Sequence, residues 1–223
     1  EKEHSLLVSA PTGSGKTLAF MVPLIDLISA DDPRPSALIL APTRELATQI
    51  VDETYPIAHA RALKVTAVYG GVGLEKQSRT AAKSHIVVAT PGRLEDLLRR
   101  RAFSLENIKV LVLDEADRML DMGFRPAVDR VVELCPKNRQ TLFFSATLDG
   151  EAGKIAMEYT TDAARHEHVP PPQKAPDIEH RFVKVTNDTR VASLVSELGG
   201  GHDLFEGGGG APVIGHDVTQ QLA

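Results

Sequence analysis

The chain has 223 residues, a formal net charge of −5, a single cysteine and 42% hydrophobic residues. These values exclude a globally basic nucleic-acid binder, an intrachain disulfide and a chain too polar to bury a core. No apolar run reaches the roughly 20 residues of a membrane span, so the expectation is a monomeric protein of the reducing cytoplasm with no membrane partner.

In chain order, six short runs rich in Val, Ile and Leu read as strands: 5–10, 37–42, 64–70, 85–90, 110–114 and 140–147. Their near-continuous apolarity suits strands covered on both faces. Helical patterns lie between them, among them "RELATQIVDETYPIAHA" (44–60), "RLEDLLRRR" (93–101) and "RPAVDRVVELC" (125–135). The alternation predicts an α/β fold: an open, mostly parallel sheet with helices on both faces and ligands at the strands' carboxyl ends. Pro23 interrupts the helical spacing of Leu18, Met21, Ile25 and Ile28, predicting a kink or a shortened helix. Met119 and Met122 read as packing residues, and "RRR" (99–101) as a solvated helix end.

"APTGSGKT" (10–17) follows a strand and opens a helix, the context of a phosphate loop. Gly13 and Gly15 let the backbone wrap closely, so that N–H groups of Ala10, Pro11, Thr12, Gly13, Ser14 and Gly15 (proline excepted) surround phosphate oxygens. Lys16 reaches the outer phosphates and the Thr17 hydroxyl holds Mg²⁺. Ala10 stands where such loops usually carry their first glycine.

"VLVLDEADRML" (110–120) runs an apolar strand into three carboxylates. Asp114 is placed to hold Mg²⁺ through water, and Glu115 to orient or deprotonate an attacking water. Asp117 suits a hydrogen bond to another loop. Taken alone, the same acids equally suit a helix N-terminus.

Together, "APTGSGKT", "APTRELA", "GG" at 70–71, "TPGR", "DEAD" and "SAT" resemble, in order and spacing, the amino-terminal RecA-like domain of the DEAD-box RNA helicases over about residues 5–168. The resemblance implies ATP as the nucleotide and RNA as the partner. It implies that Pro42, Thr43, Arg44, Gly70, Gly71, Thr90, Pro91, Gly92 and Arg93 contact the RNA sugar-phosphate backbone with little sequence specificity. "SAT" ends the strand next to the acidic one, which places the Ser145 and Thr147 hydroxyls to bond Asp117, and the resemblance implies that these three residues couple hydrolysis to strand separation. In isolation "TPGR" is also a good helix start and "SAT" an ordinary strand end.

The expected organisation is a helicase domain at 1–168 with an incomplete amino-terminal segment, a proline-rich linker at 169–177, the start of a second RecA-like domain at 178–198, and a flexible glycine-rich tail at 199–223. "IEHRFVKVT" (178–186) reads as a strand, and 188–198 as a helix capped by Asp188. The family's adenine-reading segment is not found before Ala10, and the arginine-rich second domain that completes the ATP site is not found after 169. A chain trimmed from a longer frame, truncated or frame-shifted, is the expectation, with weak turnover alone. The alternatives are a non-catalytic fragment that holds nucleotide or RNA backbone, and a related DNA helicase domain.

Overall fold

The computed structural model describes residues 5–11, 13–168 and 183–199, which fall in two compact units that divide after Pro171. The first holds strands β1 (Leu6–Ser9), β2 (Ala37–Leu40), β3 (Val65–Val68), β4 (Ile86–Ala89), β5 (Val110–Leu113), β6 (Gln140–Ser145) and β7 (Ala164–Glu167). All pair in parallel, in the order β3-β4-β2-β5-β6-β1-β7. Parallel pairing requires crossovers, which helices α1 (Lys16–Leu27), α2 (Arg44–Ala60), α3 (Leu74–Ala81), α4 (Pro91–Arg99), α5 (Ala116–Asp121), α6 (Arg125–Leu134) and α7 (Gly150–Tyr159) supply.

The side-chain alternation of each strand divides the core in two. Ile39, Val88, Val112 and Phe144 pack with Phe20, Met21, Leu24 and Ile25 of α1 and Ala47, Ile50 and Ala58 of α2. Leu38, Leu40, Leu111 and Phe143 face the other way, against Leu94, Leu97, Met119, Val128, Val131 and Ile155 of α4 to α7. Every residue of β2, β4 and β5 is buried, which accounts for their unbroken apolarity.

Two expectations are corrected within this unit, on strand β7 and on Met122. Helix α1 includes Pro23 and ends at Leu27, and α2 includes Pro56. Burial of one face of each helix outweighs the lost backbone bond, although Leu18 of the expected α1 stripe is 48% exposed. Strand β7 went unread because its four residues, "ARHE", are all exposed; pairing with β1, not burial, makes it a strand. Met119 is buried but Met122 is half exposed. The arginine run behaves as expected: α4 ends at Arg99, which pairs with Glu95.

In the second unit, α8 (Arg190–Gly199) is the described element. The Thr189 carbonyl accepts from Ser193 N–H at 2.9 Å, so the helix starts just after Thr189 and not at an Asp188 cap. Residues 183–186 form no strand, contrary to the reading of 178–186, whose first five residues lie outside the described ones. The linker at 169–177 and the tail from 200 also lie outside, while Gly199 closes the helix.

Candidate functional site

Because all strands are parallel, their carboxyl ends share one edge of the sheet, and each motif sits there. In spatial order the edge carries the loops after β3 (70–71), β4 (90–93), β2 (41–44), β5 (114–117), β6 (145–147) and β1 (10–17).

In the phosphate loop, Gly13 and Gly15 have φ of 80° and 83°, the left-handed region that side chains other than glycine's resist. Ala10 is not among the positive-φ residues, so the loop tolerates alanine where glycine is usual. Its N–H donates to the Ser145 carbonyl at 3.0 Å, and Ser9 Oγ to the Ala146 carbonyl at 3.0 Å, binding this loop to the end of β6. Pro11 and Ser14 are exposed and Thr17 half-buried; Thr12 lies outside the described residues. Lys16 Nζ turns inward, donating to the Ala10 carbonyl at 3.2 Å and lying 4.0 Å from Asp114 Oδ1.

Asp114 is 2% exposed, and its Oδ1 accepts from the Glu115 N–H at 3.0 Å. Burial pushes its carboxyl up to about 6, against the pull of Lys16 and with help from the Glu115 and Asp117 charges. Glu115 has φ 51° and ψ 49°, a strained conformation for a non-glycine residue that costs on the order of 1–3 kcal/mol. Its Oε2 accepts from Arg118 at 3.1 Å. Among the described residues no cluster of three or more His, Cys, Asp or Glu could enclose a metal. One carboxylate and one hydroxyl nevertheless fit Mg²⁺, which prefers water and phosphate oxygens for its remaining positions.

The Asp117 contact differs from expectation. Its Oδ2 accepts from the Ala146 backbone N–H at 3.0 Å, not from the flanking hydroxyls. Thr147 is exposed, and Ser145 Oγ is buried without a hydrogen-bond partner among the described residues.

On the other half of the edge, Thr43 Oγ1 accepts from Leu46 N–H at 3.2 Å and so caps α2. Pro42 is buried, while Arg44 is exposed, its guanidinium carbon 4.9 Å from the Tyr69 ring centroid. Gly71 (φ 85°) lies beside it: a Cβ there would sit 3.8 Å from Arg44 Nη1. Thr90 precedes α4 with its hydroxyl free of any cap bond, Pro91 takes the first turn, and Gly92 leaves open space above it. Arg93 Nη1 donates to the Val72 carbonyl at 2.7 Å and to Gln77 Oε1 at 2.9 Å. Gln77 carried no sequence signal; it is one polar residue of an amphipathic helix.

A phosphate loop beside a buried aspartate at the carboxyl edge of a parallel sheet, with helices on both faces, defines a RecA-like nucleotide-binding domain. Residues 1–155 match the DEAD/DEAH box helicase family. The chain is 46% identical over 152 residues to a DEAD-box ATP-dependent RNA helicase of Streptococcus pneumoniae, covering 67% of this chain and 29% of that protein. It is 38% identical over 198 residues to an ATP-dependent RNA helicase of Bacillus subtilis, covering 88% and 41%. The crystal structure of a DEAD box protein from Methanococcus jannaschii superposes with a TM-score of 0.71 at 37% identity, covering 88% of this chain and 53% of that one. A hypothetical ATP-dependent RNA helicase from Sulfolobus tokodaii gives a TM-score of 0.68 at 34% identity, covering 74% and 48%. The chain belongs to the DEAD/DEAH box helicase family. It spans between about a third and a half of the length of these relatives.

Proposed function

We propose that this chain is the ATP-binding, RNA-gripping first domain of an ATP-dependent RNA helicase. The observation that carries this reading is the single edge on which Lys16 meets Asp114 while the loops of 41–44, 70–71 and 90–93 line up beside them. The phosphate-loop N–H groups and Lys16 hold the outer phosphates of ATP. Thr17, and Asp114 through water, would hold Mg²⁺, which would supply positive charge to neutralise the phosphates. Glu115 orients the attacking water and takes its proton.

RNA lies along the other half of the edge, with Arg44 offering its fork to phosphate and Thr43, Gly70, Gly71, Thr90 and Gly92 offering close backbone approach or neutral donors. Asp117, through Ala146, links the acidic loop to the end of β6, and Ser145 and Thr147 complete that coupling when nucleotide and RNA are bound. A second RecA-like domain supplies the facing wall, including an arginine worth about 10³- to 10⁵-fold in related phosphoryl transfers. The working protein is a cytoplasmic monomer in this reading.

The test is ATP turnover by the 223-residue chain, with and without RNA and with a second domain from a related helicase added in trans. RNA-stimulated turnover that appears on adding that domain, and that Lys16→Ala removes, is expected. Normal turnover in the Lys16→Ala chain would contradict the reading. Equal stimulation by DNA would point instead to a DNA helicase domain.

A further inference from the structure

The loop from Tyr69 to Gly73 carries Gly70, Gly71 and Gly73, yet it has no charged side chain of its own. Two arginines from other loops flank it, and they are held differently. Arg44 is exposed and lies over the Tyr69 ring, and among the described residues its guanidinium makes no hydrogen bond, so its donors face outward. Arg93 is half-buried, and one of its nitrogens is shared between the Val72 carbonyl and the side chain of Gln77. Gln77 is 6% exposed and belongs to α3, outside all the motifs of this edge. A buried amide acceptor aimed at a guanidinium fixes where that group sits, and so fixes the carbonyl it also bonds.

Building on the RNA grip proposed above, we propose that Gln77 is a positioning residue for the RNA path. It holds Arg93 as a latch on the loop of 70–73, so that Arg93 acts through the loop and Arg44 is the arginine that meets phosphate. Removing either half of the latch releases the same loop, so the two losses are not additive.

The experiment measures affinity of the full chain for a single-stranded RNA across a salt series, for the unaltered chain and for Gln77→Ala, Arg93→Ala, the double variant and Arg44→Ala. Gln77→Ala and Arg93→Ala are each expected to weaken binding about tenfold, the double variant no further, as for loss of a charged hydrogen bond. Both leave the slope of log affinity against log salt unchanged, whereas Arg44→Ala lowers its magnitude by about 0.7, the value of one phosphate contact. Gln77→Glu, which keeps the acceptor, retains binding. Amide hydrogen exchange over residues 70–78, measured without RNA, is expected to quicken in Gln77→Ala and Arg93→Ala with the other strands unchanged. Additive losses, a slope reduced by Arg93→Ala, or unaltered exchange over 70–78 would each overturn the latch. Absence of RNA binding by the unaltered chain would sink the helicase-domain reading instead, and the exchange measurement would still decide the latch.

Discussion

Lys16 and Asp114 lie 4.0 Å apart although strand β6 stands between the strands that deliver them. The lysine's donation to the Ala10 carbonyl keeps it inside the phosphate loop, so the pair is assembled before any ligand arrives. Its electrostatic balance is unequal: burial raises the aspartate more than the lysine lowers it.

That imbalance gives a pH dependence. The folded-state value of about 6 lies above the ordinary 3.8, so the native chain binds the extra proton between those limits. This contribution to stability is complete below about pH 4 and is lost as pH rises through about 6. Its full size is on the order of 3 kcal/mol. Asp114→Asn is therefore expected to raise the melting temperature at pH 7.5 by about 6–12 °C and to change it little at pH 4. A fall at pH 7.5 in thermal denaturation would mean that the attraction to Lys16 outweighs burial.

Chemistry and binding separate at the neighbouring residue. Glu115→Gln keeps the size and the strained backbone of Glu115 but cannot take a proton. With a second domain supplied, it is expected to hold nucleotide and to lose about 10²- to 10⁴-fold in turnover, the usual worth of general base catalysis. Lys16→Ala, in contrast, is expected to lose nucleotide affinity itself. Equilibrium nucleotide binding and single-turnover hydrolysis on the same samples distinguish the two.

The two sides of the acidic loop's contact with β6 respond oppositely to truncation. Asp117→Ala strands the Ala146 N–H and is expected to cost about 1–2 kcal/mol of stability, offset where water reaches that group. Ser145→Ala removes a buried hydroxyl that has no partner among the described residues, and is expected to leave stability unchanged or raise it by about 1 kcal/mol. Urea denaturation of the two variants checks both signs. A loss on Ser145→Ala comparable with that of Asp117→Ala would show that the hydroxyl is satisfied in solution.

Gly153 in α7 is a packing position. A Cβ there would sit 2.1 Å from the Leu148 carbonyl oxygen, and backbone cannot swing aside as a side chain can. Gly153→Ala is expected to cost about 1–3 kcal/mol, as overpacking does, despite alanine's better helix propensity. Calorimetry reads the loss; a gain in stability would show that α7 shifts freely.

Six strands were legible from their runs rich in Val, Ile and Leu, which in β2, β4 and β5 reflect burial on both faces, and the phosphate loop because glycines, lysine and hydroxyl stand in a strand-to-helix context. The seventh strand was not legible, since β7 is held by hydrogen bonds to β1 and exposes all four residues. Pro23 is carried inside α1 by the burial of Phe20, Met21, Leu24 and Ile25, which local propensity does not weigh. The hydroxyls of Ser145 and Thr147 were expected on Asp117, but the backbone N–H of Ala146 takes that carboxylate.

The sequence by itself determined what each loop can do, because backbone freedom, charge and hydroxyl chemistry belong to residue types in local order. Along the chain, however, the phosphate loop, 41–44, 70–71, 90–93, 114–117 and 145–147 follow one another with the proposed nucleotide and RNA roles interleaved. Only the sheet order sorted them, setting 70–71, 90–93 and 41–44 on one half of the edge and 114–117, 145–147 and 10–17 on the other. That sorting comes from which strands pair after the crossovers, a matter of long-range packing that no local pattern encodes. The same packing put Gln77 beside Arg93, and Asp114 in the dry position that raises its carboxyl.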